Sequence, residues 1–242
     1  MKLIKLDAID STNDFLKGLS ATEELENFTV VTAENQTKGR GQMGAVWNSE
    51  KSKNLIMSVF VRDLLVRAGD VYSFNIATAL SIIEVLKSYN IPNLSVKWPN
   101  DIMSANFKIA GVLIENSFKS DGSISSVIGI GLNVNQTDFQ NLPKASSMAV
   151  IANSTFDKDE LVVLIAERLK VNLALVGSDS EFLWTQYDNY LFKKGVPVAF
   201  TTDSQKVFMG IIQGVSQKGK LIVLLEDDRL VEYGLKEIQM LY

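Results

Sequence analysis

The chain has 242 residues and contains neither cysteine nor histidine. No disulfide can staple it, and the common thiolate and imidazole metal sites cannot be built, so its fold must rest on buried apolar surface. Its length allows that, either as one large domain or as a large domain with a small companion. The same two absences remove thiol nucleophiles and Ser-His-Asp triads. Catalysis is restricted to carboxylates, lysines, arginines, amides, hydroxyls or bound Mg2+. Attack on a phosphate, which depends on positioning and charge stabilisation, fits that inventory.

With 24 basic against 28 acidic side chains the net charge is -4, which argues against a general nucleic-acid binder. Apolar runs such as residues 162–166 and 221–225 fall far short of the roughly 18 residues a membrane helix needs. The opening MKLIKLDAID lacks an apolar core of signal-peptide length. The expectation is a cytoplasmic protein with no membrane or nucleic-acid partner.

Patterning predicts an α+β chain. Residues 2–7 and 28–33 read as strands around a helix that starts at Ser11, with Asp14 at capping-box spacing. A strand over 54–60 and a helix over 72–89 follow, then a strand over 94–98 ended by Pro99-Asn100. Residues 108–118 and 123–133 read as strands joined across Asp121-Gly122. Asp157 and Glu160 open a helix to about Val176, and 181–191 reads as a shorter one. From Gly195 the period changes to short strands over 196–201, 207–215, 221–226, 229–233 and 237–241, a small β-barrel that leans on the rest. The boundaries are expected at 1–192 and 193–242.

Four segments carry chemistry. Gly39, Gly41 and Gly44 surround Arg40, so backbone N–H groups and a charged fork can converge on an anion; a plain surface loop is an equal reading of the glycines. Lys97-Trp98-Pro99-Asn100-Asp101 puts a cation, an amide and a carboxylate at one strand end, where Lys97 suits phosphate and Asp101 suits Mg2+ or a nucleophile. A turn with an Asx bond is the alternative. Lys108 enters a strongly apolar strand, as a snorkelling residue or as a cation facing a carboxylate. Gly129-Ile130-Gly131, followed by Asn133 and Asn135, marks close approach of a ligand or of another backbone, or a bulge.

In order, DSTND, QTKGRGQMGAVW, KWPND, KIAGVLIE and GIGLNVN resemble the motif series of bacterial biotin protein ligases over residues 10–135, and the β tail resembles that family's SH3-like domain. The resemblance implies a mixed β-sheet flanked by helices, a catalytic domain like that of class II synthetases. It implies that ATP and Mg2+ activate biotin to biotinyl-5′-AMP, from which a lysine of a biotin carboxyl carrier domain takes the biotin. By the same resemblance, Ser11, Thr12, Asn13, Gln36, Arg40, Gly41, Gln42, Lys108 and Gly111 would bind biotin. Arg40, Trp47, Lys97, Asn100, Lys108 and Asn133 would bind ATP. Lys108, Asp101 and Arg40 would be catalytic, with Asp101 also the candidate metal ligand.

The family loop is usually of the form GRGRxGRxW. Here Gln42, Met43 and Ala45 leave Arg40 alone, so the loop is expected to hold the adenylate less firmly. The first ligase motif comes by Asp10, so no DNA-binding module is expected before it. A lipoate or octanoate ligase of the same fold, or a non-catalytic biotin-binding module, are the alternatives. An exposed strand edge is where a homodimer would form.

Overall fold

The computed structural model describes residues 1–63, 71–118 and 124–242. A seven-stranded sheet dominates. Its strands are β1 (Leu3–Leu6), β2 (Thr29–Ala33), β3 (Leu55–Arg62), β4 (Leu94–Lys97), β5 (Asp101–Ser104), β6 (Phe107–Phe118) and β7 (Ile124–Leu132). They lie in the order β1-β2-β3-β7-β6-β5-β4; β1 and β2 run parallel and every other pair antiparallel. The strand expected over 94–98 is thus an edge strand.

The central strands are buried on both faces, which is why they read as continuous apolar runs. Leu55, Met57, Val59 and Val61 of β3 join Ile128, Ile130 and Leu132 of β7 in the large core. That core is completed by three helices, α2 (Val71–Ser88), α4 (Lys158–Ser178) and α5 (Ser180–Asn189). Phe60 and Val127, of opposite parity, pack with Leu16 of α1 (Thr12–Thr22) on the other face. One face of the sheet therefore carries the helical layer and the other carries α1.

The start of α1 is set by Ser11, whose Oγ accepts from Asp14 N at 3.3 Å. The reciprocal half of the capping box does not form, because the Asp14 carboxylate is drawn to Arg40 at 2.5 Å and Lys17 at 3.2 Å. Asp157 caps α4 by accepting from the N–H groups of Asp159 and Glu160. Two elements go beyond the sequence expectation. The four-residue β5 is too short for a period to register, and α3 (Met148–Ala152) is a five-residue turn capped by Ser147 and closed by Asn153 in the left-handed region at φ 50°. The expected Asp121-Gly122 turn lies outside the described residues.

The tail forms a five-stranded antiparallel sheet of β8 (Pro197–Thr202), β9 (Val207–Val215), β10 (Leu221–Leu225), β11 (Leu230–Tyr233) and β12 (Ile238–Leu241), in the order β11-β10-β9-β8-β12. Its inward residues Phe200, Ile212, Leu221 and Val223 share the large core, so it leans on the main sheet as expected. The seam has a specific contact. Trp98 Nε1 donates to Gly219 O at 2.9 Å. Gly219 sits at φ +78°, and a Cβ there would lie 2.5 Å from Cδ2 of Tyr72.

Gly219→Ala should therefore destabilise the protein by about 1–3 kcal/mol, through a strained φ and a clash at the seam. Gly177→Ala, in α4 with open space around it, should be neutral or stabilising by up to about 1 kcal/mol. Urea unfolding midpoints of the two variants check the pair.

Candidate functional site

A cleft of about 460 Å³ opens on the α1 face of the large sheet, between α1, the loop that follows β2, and the tail residues Leu235, Ile238 and Met240. Its size suits a small molecule. The floor is bare. Gly129 and Gly131 of β7 and Gly111 of β6 project onto this face, and register aligns Ile56, Gly131, Gly111 and Asp101 across four strands. A Cβ on Gly129 would strike Asn13 Oδ1, and one on Gly131 would strike the indole of Trp47. The glycine pair therefore marks close approach of side chains from above.

At one end of the floor stands a charge cluster that depends on an irregularity in β6. Met103 pairs with Lys108 and Ile102 with Ala110, so Ile109 is an extra residue, a bulge. Ile109 and Ala110 are both fully buried, while Lys108 and Gly111 both reach the cleft. Lys108 Nζ lies over Gly111 and 2.6 Å from Asp101 Oδ1. Lys97 Nζ is 3.7 Å from Asp101 Oδ2. Asp101 is 16% exposed, and the Tyr242 ring lies 5.0 Å from Lys97 Nζ and 4.1 Å from Lys144 Nζ. Burial holds the Lys97 ammonium below its ordinary range, a trend that Asp101 opposes and that Lys108 and Lys144 reinforce. Asn100 also lines the cleft, although its amide is spent on Val112 O at 2.5 Å.

The other end is polar and neutral. Ser11, Thr12 and Asn13 are buried at the first turn of α1. Gln36 Oε1 accepts from Thr12 N at 2.8 Å and lies 3.0 Å from Thr12 Oγ1. Buried Ser58 donates to Asn13 Oδ1 at 2.6 Å, and Asn13 Nδ2 donates to Glu115 at 2.8 Å. A wall of alternating donors and acceptors, with apolar Ile56 and Leu113 beside it, suits an uncharged heterocycle on an apolar chain.

The loop folds as a small hairpin in which Gly41 N donates to Ala45 O and Trp47 N to Gly39 O, with a 3-10 turn at Gln42–Gly44. Met43, at φ 63°, and Val46 are exposed. Trp47 turns inward, with Lys108 Nζ 5.6 Å from its ring centre. Gln42 Oε1 and Trp47 Nε1 are buried without a partner, polar atoms in the cleft wall that remain to be matched.

Of the residues expected at the site, Ser11, Thr12, Asn13, Gln36, Arg40, Gly41, Gln42, Trp47, Lys97, Asn100, Asp101, Lys108 and Gly111 line this one cleft. Asn133 does not. Its side chain donates to Ser146 O at 2.9 Å, while Ser146 N donates to Lys108 O, so the expected ATP contact lies behind the bulge and braces the Lys108 backbone. Both oxygens of Asp101 face ammonium groups, Lys108 at 2.6 Å and Lys97 at 3.7 Å, so a cation bound there would compete with these lysines. Among the described residues no cluster of three carboxylates offers a metal site. Sequence reasoning passed over Ser58, Glu115 and the tail residues; Glu115 closes the KIAGVLIE segment without a role of its own there, and the others belong to no glycine-rich or charged motif.

The biotin/lipoate A/B protein ligase family model matches residues 6–135. The bifunctional ligase/repressor BirA of Escherichia coli is 29% identical over 235 residues, covering 94% of this chain and 70% of BirA. The biotin–[acetyl-CoA-carboxylase] ligase of Mycobacterium tuberculosis is 27% identical over 216 residues, covering 87% of this chain and 79% of that protein. Among solved structures, the biotin protein ligase from Aquifex aeolicus in complex with biotin and ATP is similar at a TM-score of 0.81 and 25% identity, over 99% of this chain and 98% of that one.

The depressed pKa of Lys97 sets a pH dependence. The folded chain gives up this proton before the unfolded chain does, so stability rises with pH through the window just below 10.5. Lys97→Met should raise the melting temperature at neutral pH, and the gain should shrink as pH climbs into that window. Melting curves at neutral and alkaline pH check the sign; a gain independent of pH would assign it to packing.

Proposed function

Because the chain belongs to the biotin/lipoate A/B protein ligase family, we propose that it activates biotin with ATP and transfers it to one lysine of a biotin carboxyl carrier domain. Residues 1–192 would hold the reaction, and residues 193–242 would close one side of the cleft. The observation that carries the reading is Lys108, held by the bulge over the bare floor beside Asp101 and Lys97, opposite a neutral hydrogen-bonding wall. The wall suits the ureido ring, and the lysines suit a carboxylate meeting a polyphosphate.

In the first step an oxygen of the biotin carboxylate bonds to the α-phosphorus of ATP, the bond to the bridging oxygen breaks, and pyrophosphate leaves. Two anions must meet, and preorganised ammonium groups lower that barrier without reorganising. Lys108 would leave Asp101 for the carboxylate, while Lys97 faces the phosphates. Mg2+ would arrive with ATP, held by its phosphates, since among the described residues no group of three acidic side chains offers it a site. In the second step the carrier amine, having lost a proton, attacks the acyl carbon of biotinyl-5′-AMP, and AMP leaves as the amide forms. Asp101 would orient that amine once Lys108 has turned to substrate. Trp47 and Met43 would keep water from the mixed anhydride.

Incubation with ATP, Mg2+ and either biotin or lipoate tests the reading. Pyrophosphate with biotin alone supports it, pyrophosphate with lipoate selects the lipoate ligase, and none with either leaves a binding module. Within this reading, Lys108→Ala should lower biotin-dependent pyrophosphate release by roughly 10²–10³ with the fold intact. A wild-type rate would make Lys108 a snorkelling strand residue. Asp101→Asn should slow transfer from preformed biotinyl-AMP more than it slows adenylate synthesis. Single-turnover assays of each half-reaction separate the two, and a larger loss in the first would tie Asp101 to ATP instead.

A further inference from the structure

Glu115 closes the KIAGVLIE segment, where neither a phosphate nor a neutral heterocycle calls for a carboxylate, and its side chain gathers α1, the loop and β6. It stands on β6 on the cleft face, two positions beyond Leu113, and is 25% exposed. Lys17 Nζ reaches it at 2.8 Å, Asn13 Nδ2 at 2.8 Å, and Arg40 Nη2 at 3.5 Å from each of its oxygens. Across from it, Asp14 holds Arg40 at 2.5 Å and Lys17 at 3.2 Å. Asp14, Arg40, Glu115 and Lys17 thus form a closed ring of alternating charge that joins α1, the loop and β6.

We propose that Glu115 is a positioning residue that latches the cleft loop through Arg40, so that the loop is folded over the site before any ligand enters. The loop holds one arginine, and in this structure that arginine faces two carboxylates. A separate exposed ion pair contributes little, but two anions on one guanidinium restrict the loop more than a lone pair does, and Lys17 shares both of those anions. The same carboxylate fixes the Asn13 amide. With Nδ2 bonded to Glu115, Oδ1 faces Ser58 and Gly129, so Glu115 also sets which edge of Asn13 the neutral wall presents. The latch rests on geometry alone; its consequence for biotin rests on the function proposed above.

Limited trypsin digestion of the ligand-free full chain reads the latch directly, since Lys38 and Arg40 are cleavage points in the loop. Glu115→Gln should raise cleavage there about three- to five-fold at an unchanged melting temperature. Lys17→Met should leave it at or below the wild-type rate, because Arg40 then faces two carboxylates with no rival cation. Cleavage of Glu115→Gln at the wild-type rate, or faster cleavage of Lys17→Met, overturns the latch; should Glu115→Gln fail to fold, the Lys17→Met result decides. In the pyrophosphate assay, Glu115→Gln should raise the KM for biotin several-fold with kcat within about two-fold, and a fall in kcat alone would overturn the positioning role. A loop that loosens in a protein showing no biotin-dependent pyrophosphate release would keep the latch and reject the functional reading.

Discussion

A β-strand can show only alternate residues to one face, and that rule governs the whole site. Without interruption, β6 would turn Ile109 toward the cleft and Lys108 toward the helical core, where an unpaired ammonium is prohibitively costly. The extra residue at the bulge reverses the order. Ile109 and Ala110 both go into the core, and Lys108 and Gly111 both face the cleft. The apolar interior and the ionic cluster are thus two sides of one register shift, and a slip of one residue would lose both. The Asn133–Ser146 bond and the backbone bonds of Ser146 and Lys144 to Lys108 hold that strand end from behind.

The cluster is costly as well as useful. Lys97 and Lys108 share a single carboxylate, that of Asp101, and Lys97 feels its burial and the like charge of Lys108 and Lys144. Two cations on one anion leave positive charge unneutralised, so an anionic ligand is the group that would complete the site. The glycine floor works in the same direction. It removes side chains where the backbone needs to be approached, and Trp47 and Asn13 already use part of that space.

Much of this was legible in the sequence, for physical reasons. The motifs that place cations, amides and glycines are local, and thirteen of the expected residues converge on the cleft because those motifs sit at strand ends or at the start of a helix. What escaped is what depends on pairing. The bulge appears only when β5 and β6 are set side by side, and β5 is four residues long. Asn133 carries the signature of a ligand-binding amide and turns instead to Ser146. Trp98, an aromatic inside a charged motif, is a core residue that ties the tail to the main sheet through Gly219. Glu115 reads as a polar residue at the end of an apolar strand, and its partners are distant in sequence.

The arginine-poor loop also looks different in three dimensions. Counting cations along residues 39–47 gives a weak phosphate loop. The structure gives a hairpin whose remaining arginine points at Asp14 and Glu115, with Trp47 folded inward over the floor. A loop that is ordered by its ligand pays conformational entropy at the moment of binding; one held by the protein's own charges has lost that freedom already. Fewer arginines and an intramolecular latch therefore act in opposite directions on the same quantity, the free energy of keeping a ligand covered. The loop's missing positive charge lowers its direct attraction to a phosphate, while its prior order lowers what closure costs, and the balance is set by carboxylates on α1 and β6 that no reading of the loop alone would include.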